Sequence, residues 1–459
     1  MSRRRQKTTS MRLQTLSVLA IPALVVVLLV AGVLLGPAQP PDTAPRDIAV
    51  VSSVSACPTA GGLTASTGQV EAADSVSATA TTGGENTRTD LDPSQWQASA
   101  ATGDSVVIRE EGKGGVAFAA GRLSSGGGLV VTECPRVSDE TWYLGAGTSP
   151  RRPSALVLTN VADVPGSVDI QMWGPAGPIE AIKDDNVVVE PGQTTTIPVS
   201  EFAVGTDDVA IRVVRNRGAI TAAFVDVSGS VLSGSEIVPS SGVPARETVL
   251  PGVAAAGTRT LLVANPGSSA ATVTVHQSGT ESDFVPEGLD SLQVPAGTVA
   301  VLPLPASSGT EATAFRVTSD VPVLPVVRVM SSDKDFAYAT GGQAWSGPIV
   351  VPVATGAGAM RPVLQLLAES GTATVEMEAF DAAMTSVAST SVEVGSKVLT
   401  SVDLAATEAF GSPDIAYVVV TAKAPVHGTA VYRVENLIAL MQLSEAPLSA
   451  LGPHVQPGF

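Results

Sequence analysis

Apolar and polar residues alternate at period two through most of this chain, and turn-forming clusters interrupt them roughly every 8–12 residues. Asp208–Val227 is typical. Ile211 and Val213 alternate with polar neighbours, a glycine follows at Gly218, and Ile220, Ala222 and Phe224 resume the alternation. Such a stretch reads as a hairpin with one buried and one wet face. Beyond residue 47 no stretch keeps a helical period, so the pattern predicts an all-β chain.

From about Ser138 the pattern repeats with a period of about 100 residues, which marks tandem domains rather than a short-period solenoid. Opening strands begin at Ala155, Thr260 and Pro362. Middle hairpins begin at Val188, Leu292 and Val392, with turns at Pro191-Gly192, Ala296-Gly297 and Gly395. Closing hairpins begin at Asp208, Thr313 and Ile415. Seven or eight short strands per copy fit an antiparallel β-sandwich of immunoglobulin-like type, although no copy carries its own cysteine pair. A propeller-like closure is the weaker expectation, since three such copies close no ring.

The amino terminus has a different character. Five basic residues precede an uncharged run, Leu16–Leu35, which as a helix would span roughly 30 Å, the thickness of a bilayer core. The excess of Arg and Lys before this run places the amino terminus in the cytoplasm and the remainder outside. A cleaved signal peptide is the alternative, with Gly36-Pro37-Ala38 as the small-residue site. The segments that follow are a basic tail (1–14), a transmembrane signal-anchor helix (15–36), a Pro-rich spacer (37–46) and a small β domain (47–139). Three sandwich repeats (140–245, 246–346 and 347–450) and a tail (451–459) complete the chain. In series, such domains would form a rod standing off a cell membrane crossed once.

Cys57 and Cys134 are the only cysteines. Both fall outside the membrane, where a disulfide persists, and neither sits in a metal-binding spacing. We expect them to be joined, closing the first β domain.

The 459 residues carry 26 basic and 43 acidic side chains, a net charge of −17. That balance argues against nucleic-acid binding. No metal or cofactor is expected. His276, His427 and His454 are too scattered for a zinc site. Asp184-Asp185, and Asp333 with Asp335, supply only fragments of a calcium loop. No nucleophile elbow occurs, and nothing singles out a glycosidase pair among the carboxylates. No catalytic residue is therefore expected. Trp96, Trp142 and Trp173 are the candidate glycan contacts, since an indole face is the usual platform for a sugar ring.

The repeat register, the Cys57-Pro58 and Cys134-Pro135 flanks, Trp142–Gly145 and the Asn-terminated strands Leu156–Asn160 and Leu262–Asn265 resemble an uncharacterised family of actinobacterial exported, membrane-anchored β-rich proteins. The third copy departs from it, with Ala368 where Asn would fall. The resemblance assigns no catalytic residue. It implies genomic neighbourhood with large membrane glycosyltransferases and hence an envelope role. The expected function is a non-enzymatic scaffold or assembly partner for envelope polysaccharide machinery, with a membrane glycosyltransferase or cell-wall glycan as partner. A glycan-binding protein or an exported glycan hydrolase is the alternative.

Overall fold

The structure, a computed structural model, describes residues 47–451 except for 50–51, 60–61, 71–72, 83, 102, 113, 124–126, 181–185, 228–233, 256, 306–310, 332–334, 356–357 and 447–448. The basic tail, the apolar segment, the spacer and most of the carboxyl-terminal tail lie outside the described residues, as do Asp184, Asp185, Asp333 and His454. Among the described residues no helix is long and apolar enough to cross a membrane. The described residues are all-β, with many antiparallel sheets and, among them, only brief 3-10 turns.

One compact unit spans Ala49–Leu448. Separately, a short ribbon pairs Asp47–Ala49 with Ser449–Leu451.

Within the large unit one pairing scheme occurs four times. In the first module, strands run in the order Ser52–Pro58, Ser105–Glu111, Ser75–Thr82, Glu85–Leu91 in one sheet. The order in the other is Gln97–Ala101, Leu63–Gln69, Gly115–Arg122, Leu129–Glu133. Inward residues of both sheets, among them Ala78, Ile108, Ala65 and Ala119, share one core. The second module repeats the order with Glu140–Gly147, Asp207–Arg217 and Gly166–Gly174 facing Thr194–Pro198, Ala155–Asn160, Ile220–Val227 and Ser235–Val238. In the third, one long strand, Thr313–Met330, runs through both sheets and fuses them. The fourth uses Ile349–Pro352, Tyr417–Ala422, Ala373–Phe380 and Ser386–Val394 against Thr400–Asp403, Val363–Ala368, Val426–Val434 and Leu437–Gln442.

The cysteine-containing segment thus has the same strand order as the three repeats visible in the sequence. Its core mixes Ala65, Ala78, Ala117 and Ala119 with Leu63, Val106 and Ile108, so small residues weaken its alternation. It also lacks the Asn that ends the second strand of modules two and three. Asn160 explains that motif: its amide donates to Val164 O (2.8 Å) and Val189 O (2.9 Å), while Oδ1 accepts from Ala162 N. Asn265 repeats the arrangement with Ser269 O, Val294 O and Gly267 N. One buried amide ties a turn to a neighbouring strand.

The modules do not stand in a row. The closing strand of each, Leu129–Glu133, Ser235–Val238, Phe336–Thr340 and Leu437–Gln442, packs against the closing strands of two others, so the fourth module returns to the first. Apolar clusters cross the seams. Trp96, Phe118 and Leu129 share a core with Trp345 and Tyr417, and Leu144 and Phe224 share one with Leu262 and Tyr338. The expected rod is therefore replaced by closure around a shared axis, in which the closing strands are buried on both faces, whereas a rod would leave one face wet.

Two buried carboxylates, Asp335 and Glu236, sit where these strands begin, and Asp335 gathers the amides. Asp335, 1% exposed, accepts from Leu129 N (3.2 Å) and Ile438 N (3.0 Å), and the amides of Phe336 and Ser235 also face it. All four modules thus place the start of a closing strand on one side chain. Gly128 allows the approach, since a Cβ there would lie 2.0 Å from Ser235 O. Asp335, a calcium-loop fragment in the sequence, is here an acceptor for amides.

A second polar knot locks modules two and three. Arg152 donates to Asp208 (2.8 Å), Asp226 (2.7 Å), Tyr338 (2.9 Å) and Gly145 O, and Arg328 pairs with Asp208 from the other side. Asp226 is fully buried and also accepts from Ser154 Oγ (2.6 Å) and Tyr338 OH (2.7 Å). Burial with Asp226 alongside pushes the Tyr338 phenol above its usual range, so it stays a donor.

Candidate functional site

The closing strands run out into the linkers between modules, and those linkers are rich in Pro and Gly: Cys134-Pro135, Pro239, Gly242 and Gly341-Gly342. Short, kinked connections leave space between the strand ends. A cavity of about 450 Å³ opens there, lined by all four modules. A second cleft of about 560 Å³, between modules three and four, shares Gly242, Val243 and Gly341–Gln343 with it. Together they form one groove over the linkers.

The charged groups of the first cavity are paired. Glu133 meets Arg136 and accepts from Ser444 Oγ of the fourth module. Glu140 accepts from Arg212 (2.8 Å) and from the Trp142 indole. The Arg212 guanidinium holds the Glu140 carboxyl below its ordinary value. The Glu140 carboxyl is thus held ionised beside a cation, the reverse of what a general acid requires.

His427 lines the second cleft with Glu247, Glu369, Arg316 and Lys397. Its Nδ1 lies 3.1 Å from Gly342 O, and burial lowers its pKa, so the ring is neutral at pH 7. Among the described residues no group of three or more His, Cys, Asp or Glu side chains could hold a metal ion.

The residues singled out in the sequence fall as follows. Cys57 and Cys134 form a disulfide joining the two sheets of module one, and Cys134 lies on the cavity wall. Trp96 is 4% exposed. Tyr417 of module four stacks on it at 5.0 Å, Phe118 packs at 6.0 Å, and its indole donates to Ala354 O (2.8 Å). This ring fills a seam and leaves no face for a sugar. Trp142, also 4% exposed, is stacked on Trp173 at 5.2 Å and covered by Arg212. Trp173 is half-buried and keeps an accessible edge. The structure separates Trp96 from the other two.

Several polar groups of consequence are not apparent from motifs. Asp226 is the clearest, and it had a signal: it follows Ala222 and Phe224 at spacing two, so the strand carries a carboxylate onto its apolar face. Glu110 is similar. It lies inside module one, accepts from Ser53 Oγ (2.8 Å) and Thr67 Oγ1 (2.5 Å), and burial raises its pKa to about 7.

Residues 94–405 match the family of unknown function DUF5719. No curated protein matches the chain. Among solved structures it is similar to the crystal structure of Thermotoga maritima 1070, at 15% identity over 22% of this chain and 94% of that one, with a TM-score of 0.20.

Proposed function

The chain belongs to the DUF5719 family of unknown function, and for it we propose a non-enzymatic role: a membrane-anchored extracellular scaffold or assembly partner for cell-envelope polysaccharide machinery. Leu16–Leu35 is the anchor in this reading, and the four modules are tandem antiparallel β-sandwiches of immunoglobulin-like type. The observation that carries it is the groove over the linkers. Four modules contribute to it, they are fixed to one another by Asp335 and the Arg152 knot, and its two carboxylates are neutralised by Arg136 and Arg212. A rigid, charge-satisfied concavity suits recognition, not proton transfer.

The test is photo-cross-linking from the exposed Gln343 in the native membrane. The scaffold reading expects a discrete adduct with an integral-membrane glycosyl-transferring enzyme. The half-buried Trp173 beside Trp142 favours the second reading, wall-glycan binding. Saturable, salt-resistant co-sedimentation with isolated cell wall, lost in Trp173→Ala, would replace the scaffold reading with that one.

A further inference from the structure

The strands at the outer edges of the modules differ in how they are protected. An unpaired edge offers backbone N–H and C=O groups to another chain, and proteins blunt it with charge, short strands or cover. In module one the edge strand Glu85–Leu91 carries the charges Glu85, Arg88 and Asp90, and Asn86 bonds to Gly192 O of module two. In modules two and three the corresponding edge is cut into short pieces, Gly177–Ile179 with Asn186–Val189, and Asp283–Phe284 with Leu292–Val294.

Module four is less protected: its edge strand is long, with one charge near its end and one β-bulge at Val387. Ser386–Val394 is a nine-residue strand, SVASTSVEV, paired among the described residues only to Ala373–Phe380, with its single charge at Glu393. Val387 is among the exposed large apolar residues. The short turn Glu408–Phe410 lies near it, but Phe410 is turned into the core, and among the described residues no hydrogen bond joins that turn to this strand.

The sheet beside this edge is concave and acidic on its outer side. Glu376 opposes Ser391 and Glu378 opposes Ser389, and a trough of about 460 Å³ lies over them. Glu393 points to the same side, opposite Thr374. Lys423, 3.0 Å from Glu376, is the counter-charge.

We propose that Ser386–Val394 is a docking edge that receives an extended, basic protein segment as an added antiparallel or parallel strand. The added backbone would continue the ladder at about 4.8 Å spacing. Lys or Arg at alternate positions would then share the outer face with Ser389, Ser391 and Glu393. Their long stems reach one strand further, to Glu376 and Glu378. Charge complementarity selects this occupant over an acidic segment. The surface lies on a different face from the linker groove and stands independently of the scaffold reading.

The experiment uses the full chain in detergent and two synthetic nine-residue peptides, one alternating Thr and Lys, the other alternating Thr and Glu. Binding is followed by fluorescence anisotropy and amide hydrogen exchange. The proposal expects the Lys peptide to bind, to weaken with salt, and to slow exchange in 386–394. It expects the Glu peptide not to bind. The double variant Glu376→Lys/Glu378→Lys should weaken binding at least tenfold.

Ala388→Pro and Ser389→Pro are compared singly. One removes a ladder amide and the other an outward-facing amide, and the variant that keeps the parent's unfolding midpoint should lose the peptide. No binding, equal binding of both peptides, or binding without protection of 386–394 overturns the proposal.

Discussion

Asp335 Oδ2 accepts the amide hydrogen of Leu129 at 3.2 Å, across 206 positions of sequence. The same oxygen accepts from Ile438, so one carboxylate in the third module holds the first and fourth. Asp335→Ala leaves these buried amides without an acceptor and should cost on the order of 3 kcal/mol. Asp335→Asn keeps an acceptor oxygen and should lose less. Urea unfolding midpoints of the two variants check the order.

The Arg152–Asp226 pair predicts a different pattern. Asp226 is fully buried, so Arg152→Ala leaves its carboxylate without a cation and should cost about 3–5 kcal/mol, whereas Asp226→Ala should cost less, because Asp208 still faces the guanidinium. The double variant Arg152→Met/Asp226→Leu removes both charges together and should recover much of the loss. A double variant no better than the sum of the singles would show that the pair is not acting as a unit.

Glu110 introduces pH dependence with a definite sign. Its folded pKa, about 7, lies above the ordinary 4.5, so the folded state holds the proton more tightly. The associated stability is fully present below pH 4.5 and is lost as pH rises through about 7. The stability of the parent minus that of Glu110→Gln should therefore fall by ~3 kcal/mol from roughly pH 5 to pH 8 and then level off. Subtracting the variant removes the opposite trend of the other carboxylates. A flat difference would place Glu110 in a wetter setting than the structure gives it.

Asn160 and Asn265 occupy matching corners of modules two and three. Each alanine substitution removes a buried amide that bridges a turn to a strand, and each should cost about 1–3 kcal/mol. The corners are in separate modules, so the double variant should be close to additive. Thermal melts of the three variants decide it.

Strand alternation made the all-β class and three of the four repeats legible in the sequence, because each strand there presents large apolar residues on one face, as in Ile211, Val213 and Phe224. The first module hid its identity behind Ala and Ser at inward positions such as Ala65 and Ala78. Closure was hidden for another reason. Val130, Ile237, Ala337 and Ile438 look like ordinary strand residues, and only three-dimensional proximity shows that they pack across modules. Asp335 read as a turn carboxylate, since nothing local marks an acceptor whose donors lie in distant modules. The tryptophans carried the right physical property, a large flat face, but sequence does not tell a seam from a platform. Trp96 shows the difference.

The central claim is that the first and fourth modules meet. Arg122 and Glu435, both exposed, face each other across that seam at 3.9 Å. Arg122→Cys/Glu435→Cys, treated with a short bis-maleimide at low protein concentration, should give one intramolecular bridge, seen as a single added linker in the intact mass with no free thiol. Two linkers per chain, each capping one thiol alone, would mean that the modules stand in a row, and the closed arrangement would be wrong.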